Sequence, residues 1–284
     1  MSMSWYVPAE QQMKDKADFA RKGIARGKAL AAVAFDDGIL ICAENSSSTL
    51  RKISEIYDRI AFAGAGKYNE YDRLRVAGVR HADLKGYSFS REDVDAQSLA
   101  NAYAQMVGDV FTHEIKPMEV EIVVAELGET LEDDRMFHIL YDGTVVDEPG
   151  LTVLGGEAEA IVERVKQSHE PGRPLDAALR ATVAALAGSG RQIDAADLEV
   201  AVLSRRNGRR AFRRLTDTEV AGMLAAGGDG RATGAEGTSD ATATPDATAT
   251  PDTGATGTDS DADRGTDAAS TSDASDSSEG ETDD

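Results

Sequence analysis

The chain has 284 residues, with 30 Lys and Arg against 51 Asp and Glu, a net charge of −21. That balance argues against general nucleic-acid binding, which needs clustered Lys and Arg to meet phosphates. Cys42 is the only cysteine, which excludes a disulfide within the chain and a cysteine-based zinc site, and suits a reducing cytoplasm. No run of about eighteen apolar residues exists, so no membrane span is expected.

The first residues, Met1 to Val7, lack the basic-then-apolar order of a signal peptide and carry no periodic pattern. Pro8-Ala9-Glu10 suits a helix start, and Met13, Ala17, Ala20 and Ile24 recur at helical spacing toward Gly27. Two apolar runs, 29–35 and 39–43, flank Asp36-Asp37-Gly38 and predict a hairpin. After a polar loop at 45–49, a second strand pair is expected at 52–57 and 59–63. Helices are expected at 68–84 and 98–115, the second stopped by Lys116-Pro117.

Strands are then expected at 119–127, 136–141 and 151–154, with Asp142-Gly143 as a second turn. Helices follow at 158–167 and 175–186. A last strand pair, 198–203 and 211–215, spans Arg205-Arg206-Asn207-Gly208. Thr216 and Glu219 offer the caps of a final helix ending near Ala226. Strand runs alternating with helix pairs predict an α+β chain in which two sheets pack face to face between helical layers, a four-layer αββα sandwich. A three-layer α+β fold is the alternative.

From Gly227 to Asp284 there is no Val, Ile, Leu, Met, Phe, Tyr, Trp or Cys. Such a segment cannot bury enough surface to offset the entropy of ordering its backbone, so 227–284 reads as a disordered tail. Its fifteen acids and two arginines hold −13 of the charge, leaving −8 for the rest. Its tandem Ala-Thr-Ala-Thr-Pro-Asp repeat, at 241–246 and 247–252, fits a solubilising spacer or an electrostatic brush equally well. The organisation is thus a short segment 1–7, one domain 8–226 and the tail.

Several signals carry no chemistry. Gly64-Ala65-Gly66-Lys67 lacks the spacer and the following Ser or Thr of a phosphate loop, and reads as a strand-to-helix turn. His81, His113, His138 and His169 have no ligand spacing, so neither metal nor cofactor is expected. Asp133-Asp134 reads as a solvated loop, and Arg205, Arg206, Arg209 and Arg210 as a solvated hairpin tip.

Five stretches together resemble the proteasome α-subunit family, most closely its actinobacterial type. They are 21–35, 37–44, 52–71, Tyr141-Asp142-Gly143-Thr144 with Leu154-Gly155-Gly156, and 198–203 with 209–214. The resemblance implies the αββα fold of the N-terminal-nucleophile hydrolases. It implies seven-membered rings of neighbouring α subunits stacked on proteasome β subunits, N-termini closing an axial pore, and clefts that receive the C-terminal tails of a ring ATPase. It also implies unfolded protein substrates, marked by a small protein tag and degraded in the cytoplasm.

Proteasomal cleavage needs a threonine at the start of the first strand, its hydroxyl attacking and its own amine taking the proton. Here Gly27-Lys28-Ala29-Leu30 stands at that place, with no Ser or Thr. Lys52 occupies the position similar to the β-type catalytic lysine, and Glu44 that of its aspartate. No peptidase activity is therefore expected, and no residue is assigned as catalytic. Lys52 is either a solvated lysine on a strand edge or, as the resemblance implies, the cation that meets an ATPase tail's carboxylate. Gly27 is either a helix-capping glycine or the small residue beside that pocket. The N-terminal helix packs on its own domain or faces ring neighbours. Trp5, Tyr6 and Val7, stiffened by Pro8, are the candidate gate, against an ordinary frayed terminus. Two rival functions stay open: an active N-terminal-nucleophile hydrolase and a monomeric acidic binding module.

Overall fold

The structure, a computed structural model, describes residues 8–226. The segments 1–7 and 227–284, which hold Trp5, Tyr6, Val7 and the acidic tail, lie outside the described residues.

Helix α1 (Ala9–Ala25) leads into the hairpin of β1 (Leu30–Phe35) and β2 (Gly38–Glu44), then that of β3 (Ile53–Tyr57) and β4 (Ile60–Gly66). Helices α2 (Tyr68–Ser88) and α3 (Ala96–His113) precede β5 (Val120–Glu126), β6 (Arg135–Ile139), β7 (Val145–Asp147) and β8 (Leu151–Leu154). Helices α4 (Ala158–Ser168) and α5 (Leu175–Ala187), strands β9 (Leu198–Ser204) and β10 (Phe212–Arg214), and α6 (Asp217–Ala225) complete the domain. One sheet runs β10-β9-β2-β1-β8 and the other β3-β4-β5-β6-β7, with every pair antiparallel.

Alternation along each strand sorts side chains between two faces. Leu30, Ala32, Ile39 and Ile41 of the first sheet meet Ile53, Ala63, Val123 and Met136 of the second in the space between the sheets. The opposite face of the first sheet, with Val33, Leu40 and Val202, is covered by Ile161, Leu179, Val183 and Val220 from α4, α5 and α6. The opposite face of the second, with Phe62, Ile122 and Val124, is covered by Leu74, Leu99 and Tyr103 from α2 and α3. The result is the expected αββα sandwich. Strands β1 and β2 are buried at every residue, which is why both read as continuous apolar runs rather than as alternations.

Local signals placed several ends. Asp36-Asp37 forms the tight turn from Phe35 to Gly38. Gly38 has φ 151°, and a side chain there would collide with the Leu203 carbonyl. Thr216 and Glu219 cap α6 reciprocally, the Thr216 amide donating to Glu219 Oε2 at 2.8 Å. That amide first, and then Arg213, hold the Glu219 carboxyl down to about 2. Helix α2 continues one turn past the expected Leu84, and Lys85 in that turn reaches Asp95, the N-cap of α3, at 2.5 Å.

Two expectations are corrected by contacts distant in sequence. The Asp134 side chain is buried: its Oδ1 accepts from Arg205 Nη2 at 2.6 Å and from the Gly128 amide at 2.8 Å. Burial pushes this carboxyl above its usual range, with Arg205 pulling the other way. So Asp134 is no solvated loop residue, and Arg205 is drawn in from the hairpin tip. Asp133, Arg206, Arg209 and Arg210 remain exposed. His169 is a core residue, its Nε2 lying 2.8 Å from the Ala34 carbonyl oxygen.

Candidate functional site

The chain leaves α1 at Ala25 and enters β1 at Leu30, so Arg26–Ala29 crosses the place where a processed nucleophile would begin the first strand. Gly27 sits in this crossing. Its amide donates to the Ile24 carbonyl at 2.9 Å. The helix is capped by Arg26 in an ordinary helical conformation, and Gly27 is not left-handed. Its smallness has another cause: a Cβ there would stand 3.1 Å from the Gly66 amide nitrogen. The end of α1 thus lies backbone to backbone against the end of β4, and the capping-glycine reading is corrected.

Lys52 belongs to the connection from β2 to β3. The strand expected to start at Lys52 starts at Ile53, and the Lys52 amide donates to Glu199 Oε2 at 2.8 Å. The Lys52 side chain is half-buried and its ammonium donates to the Lys28 backbone carbonyl. The fold therefore brings Lys52 to the residue next to Gly27.

Among the described residues Lys52 has no carboxylate of its own. Glu44, at the end of β2, is held by Lys28 Nζ at 2.6 Å and by Arg191 Nη1 and Nη2 at 2.7 and 3.0 Å. Burial pushes the Glu44 carboxyl up, but Arg191 and Lys28 outweigh it and hold the group below its usual range. Among the described residues no carboxylate lies within ion-pair reach of Lys52 Nζ. Burial pushes the ammonium down to about 8, against the more distant pull of Glu199 and Glu44. A half-buried cation with only a carbonyl for company gains strongly from an incoming carboxylate.

Gly27 and Lys28 also line a cleft of about 490 Å³ with Arg26, Glu44, Arg164 and Arg191, which Lys52 does not line. A larger cleft, about 920 Å³, lies at the opposite end of β3. Its charges pair internally, Arg91 with Asp58 at 2.6 Å and Arg59 with Glu129 at 2.5 Å, and it has no connection to Lys52. Among the described residues no three His, Cys, Asp or Glu gather as metal ligands. Cys42 is buried, and burial raises its thiol to about 12, far from a reactive thiolate.

Pro8 is the N-cap of α1, with the Gln12 amide donating to its carbonyl at 3.1 Å. Helix α1 packs on its own domain and also leaves apolar side chains outward. Ala20 and Ile24 are buried with Tyr141, while Met13 and Phe19 face outward. Sequence reasoning missed Glu199, Arg214 and Arg191. A signal existed for the first: a lone acid inside the apolar run 198–203 must find donors where it is buried.

A first strand whose leading end is covered by a helix, with the sandwich and its lysine intact, defines a protein of N-terminal-nucleophile architecture that lacks the nucleophile. The family model described as "Proteasome subunit" matches residues 24–203. The chain is 60% identical over 220 residues to proteasome subunit alpha of Acidimicrobium ferrooxidans, covering 78% of this chain and 95% of that one. It is 56% identical to that of Sanguibacter keddieii, covering 79% and 90%, and 53% identical to that of Thermomonospora curvata, covering 80% and 100%. The chain belongs to the proteasome subunit family, as a bacterial α-type, non-catalytic subunit of the core particle.

Proposed function

We propose that this chain builds the outer, seven-membered ring of a cytoplasmic proteasome on a ring of β subunits. In this role its N-terminal segment gates the entry of unfolded, tagged substrates, and Lys52 receives the terminal carboxylate of a ring ATPase's tail. Gly27 leaves room beside that contact. The observation that carries the docking role is the half-buried Lys52 ammonium, unmatched by any carboxylate among the described residues while Glu44 is doubly occupied.

Two separate apolar surfaces support assembly with neighbours. One joins Phe19 of α1 to Ile115 just past α3, where Phe19 lies under Lys116 Nζ. The other, at the end of α2, exposes Leu84, Tyr87 and Phe89, the last two by 91% and 76%. Exposed aromatic side chains in groups mark partner surfaces. Different patches on one chain suit head-to-tail rings and stacked layers better than a two-fold dimer.

The docking role has a pH signature. Only protonated Lys52 attracts a carboxylate, and burial sets its deprotonation near pH 8 rather than near the 10.5 of a free lysine. Binding of the ATPase's C-terminal peptide to the assembled particle is expected to weaken about tenfold from pH 7 to pH 9. Fluorescence anisotropy across this range measures it. A flat profile would remove Lys52 as the receptor.

A further inference from the structure

Glu199 stands on β9 opposite Ala43 of β2, in a strand whose other residues from Leu198 to Leu203 are apolar. Its side chain is buried and points into the space between the sheets, the side on which Ala201 and Leu203 pack. A buried carboxylate is tolerated only when its lone pairs are filled. Oε2 accepts from Asn45 Nδ2 at 2.7 Å and from the Lys52 amide at 2.8 Å. Oε1 accepts from the Ile53 amide at 3.2 Å and from Arg214 Nη1, while Arg214 Nη2 donates to the Ile53 carbonyl at 2.7 Å.

Three of these donors belong to one piece of chain. Asn45 opens the connection between β2 and β3, and Lys52 and Ile53 close it. Asn45 also donates to the Leu50 carbonyl at 2.8 Å, so its side chain links the far side of the loop to the same carboxylate. A buried ion pair such as Glu199 with Arg214 is weak evidence for stability, since apolar residues of like volume serve as well or better. An apolar residue at 199 would hold the sheet but would leave both ends of this loop untied.

We propose that Glu199 is the positioning residue of the docking site: its carboxylate clamps both ends of the 45–53 connection and so sets where the Lys52 ammonium stands. This rests on the reading of Lys52 as the receptor of an ATPase tail. Glu199 acts on Lys52 in a second way, through charge. The groups that face Lys52 are Glu199 from β9, Glu44 from the end of β2 and Lys28 from the crossing before β1. Burial drives the ammonium toward its neutral form, and Glu199 is the stronger of the two carboxylates that resist it.

The test uses assembled α–β particles and the C-terminal decapeptide of the particle's ring ATPase, with the amidated peptide as control. Glu199→Gln keeps the shape but removes the charge and one acceptor atom. It is expected to weaken binding about tenfold at pH 7.5 and to move the pH midpoint of binding down by about one unit. A residue serving only the fold would leave that midpoint in place. Lys52→Met separates the two claims. If Lys52→Met loses binding while Glu199→Gln keeps native affinity and midpoint, the positioning role is overturned and docking stands. If Lys52→Met binds as the native chain does, the docking reading falls and this inference with it. Should Glu199→Gln fail to assemble, Asn45→Ala unties one end of the loop and leaves the buried charge in place. It is expected to weaken binding several-fold with the midpoint unchanged, and native affinity there would overturn the clamp.

Discussion

Lys52→Ala is expected to abolish ATPase-stimulated degradation of a folded, tagged substrate while the particle assembles and cleaves short peptides at its basal rate. Among the described residues the side chain makes one hydrogen bond, to the Lys28 carbonyl, and no ion pair. Its loss therefore costs the fold little. A docked tail, by contrast, loses the partner of its carboxylate in a half-buried setting, where truncating one member of a charge pair costs about 2–5 kcal/mol. If several tails engage one ring, the loss compounds through avidity. Lys52→Arg is expected to restore little, because a planar guanidinium does not replace a compact ammonium seated on one carbonyl. Stimulation at the native level in the alanine particle would remove Lys52 from the docking site.

Deleting residues 1–7 is expected to speed hydrolysis of short peptides by the assembled particle about tenfold, as a barrier of roughly 1.4 kcal/mol disappears. Trp5, Tyr6 and Val7 supply apolar bulk directly before Pro8, and the deletion stops at the helix cap. The anchoring of α1 through Ala20, Ile24 and Tyr141 is untouched. Gate and docking site are coupled if tail binding shifts the gate's open population. Peptide hydrolysis by the deleted particle should then no longer respond to the ATPase, with or without Lys52→Ala. Unchanged hydrolysis in a verified particle would remove the gate.

The residues that announced the fold are those whose signals are local. The Asp36-Asp37 turn, the Thr216–Glu219 capping box and the two doubly buried strands, β1 and β2, each state their structure within a few residues. The ends that moved are those set from afar. Lys52 lies just before the strand it was expected to begin, its amide held by Glu199, 147 positions away. Asp134 and Arg205 looked solvated because each was judged by its neighbours, and their partner lies 71 positions off. The site divides in the same way. Lys52 and Gly27 were legible through the family pattern of the stretches around them. The electrostatic reason for Lys52, a Glu44 already bound by Lys28 and Arg191, exists only once β2 and the chain after α5 meet in space.

All of this depends on Leu30 beginning its strand behind an unbroken helical extension, so that cutting is left to a partner. The direct measurement is the intact mass of this chain isolated from active particles, paired with a peptidase assay of the chain without β subunits. The account predicts a polypeptide that keeps α1 ahead of Leu30 and is inert alone. A chain trimmed to a new terminal threonine, serine or cysteine and hydrolysing peptides unaided would contradict it.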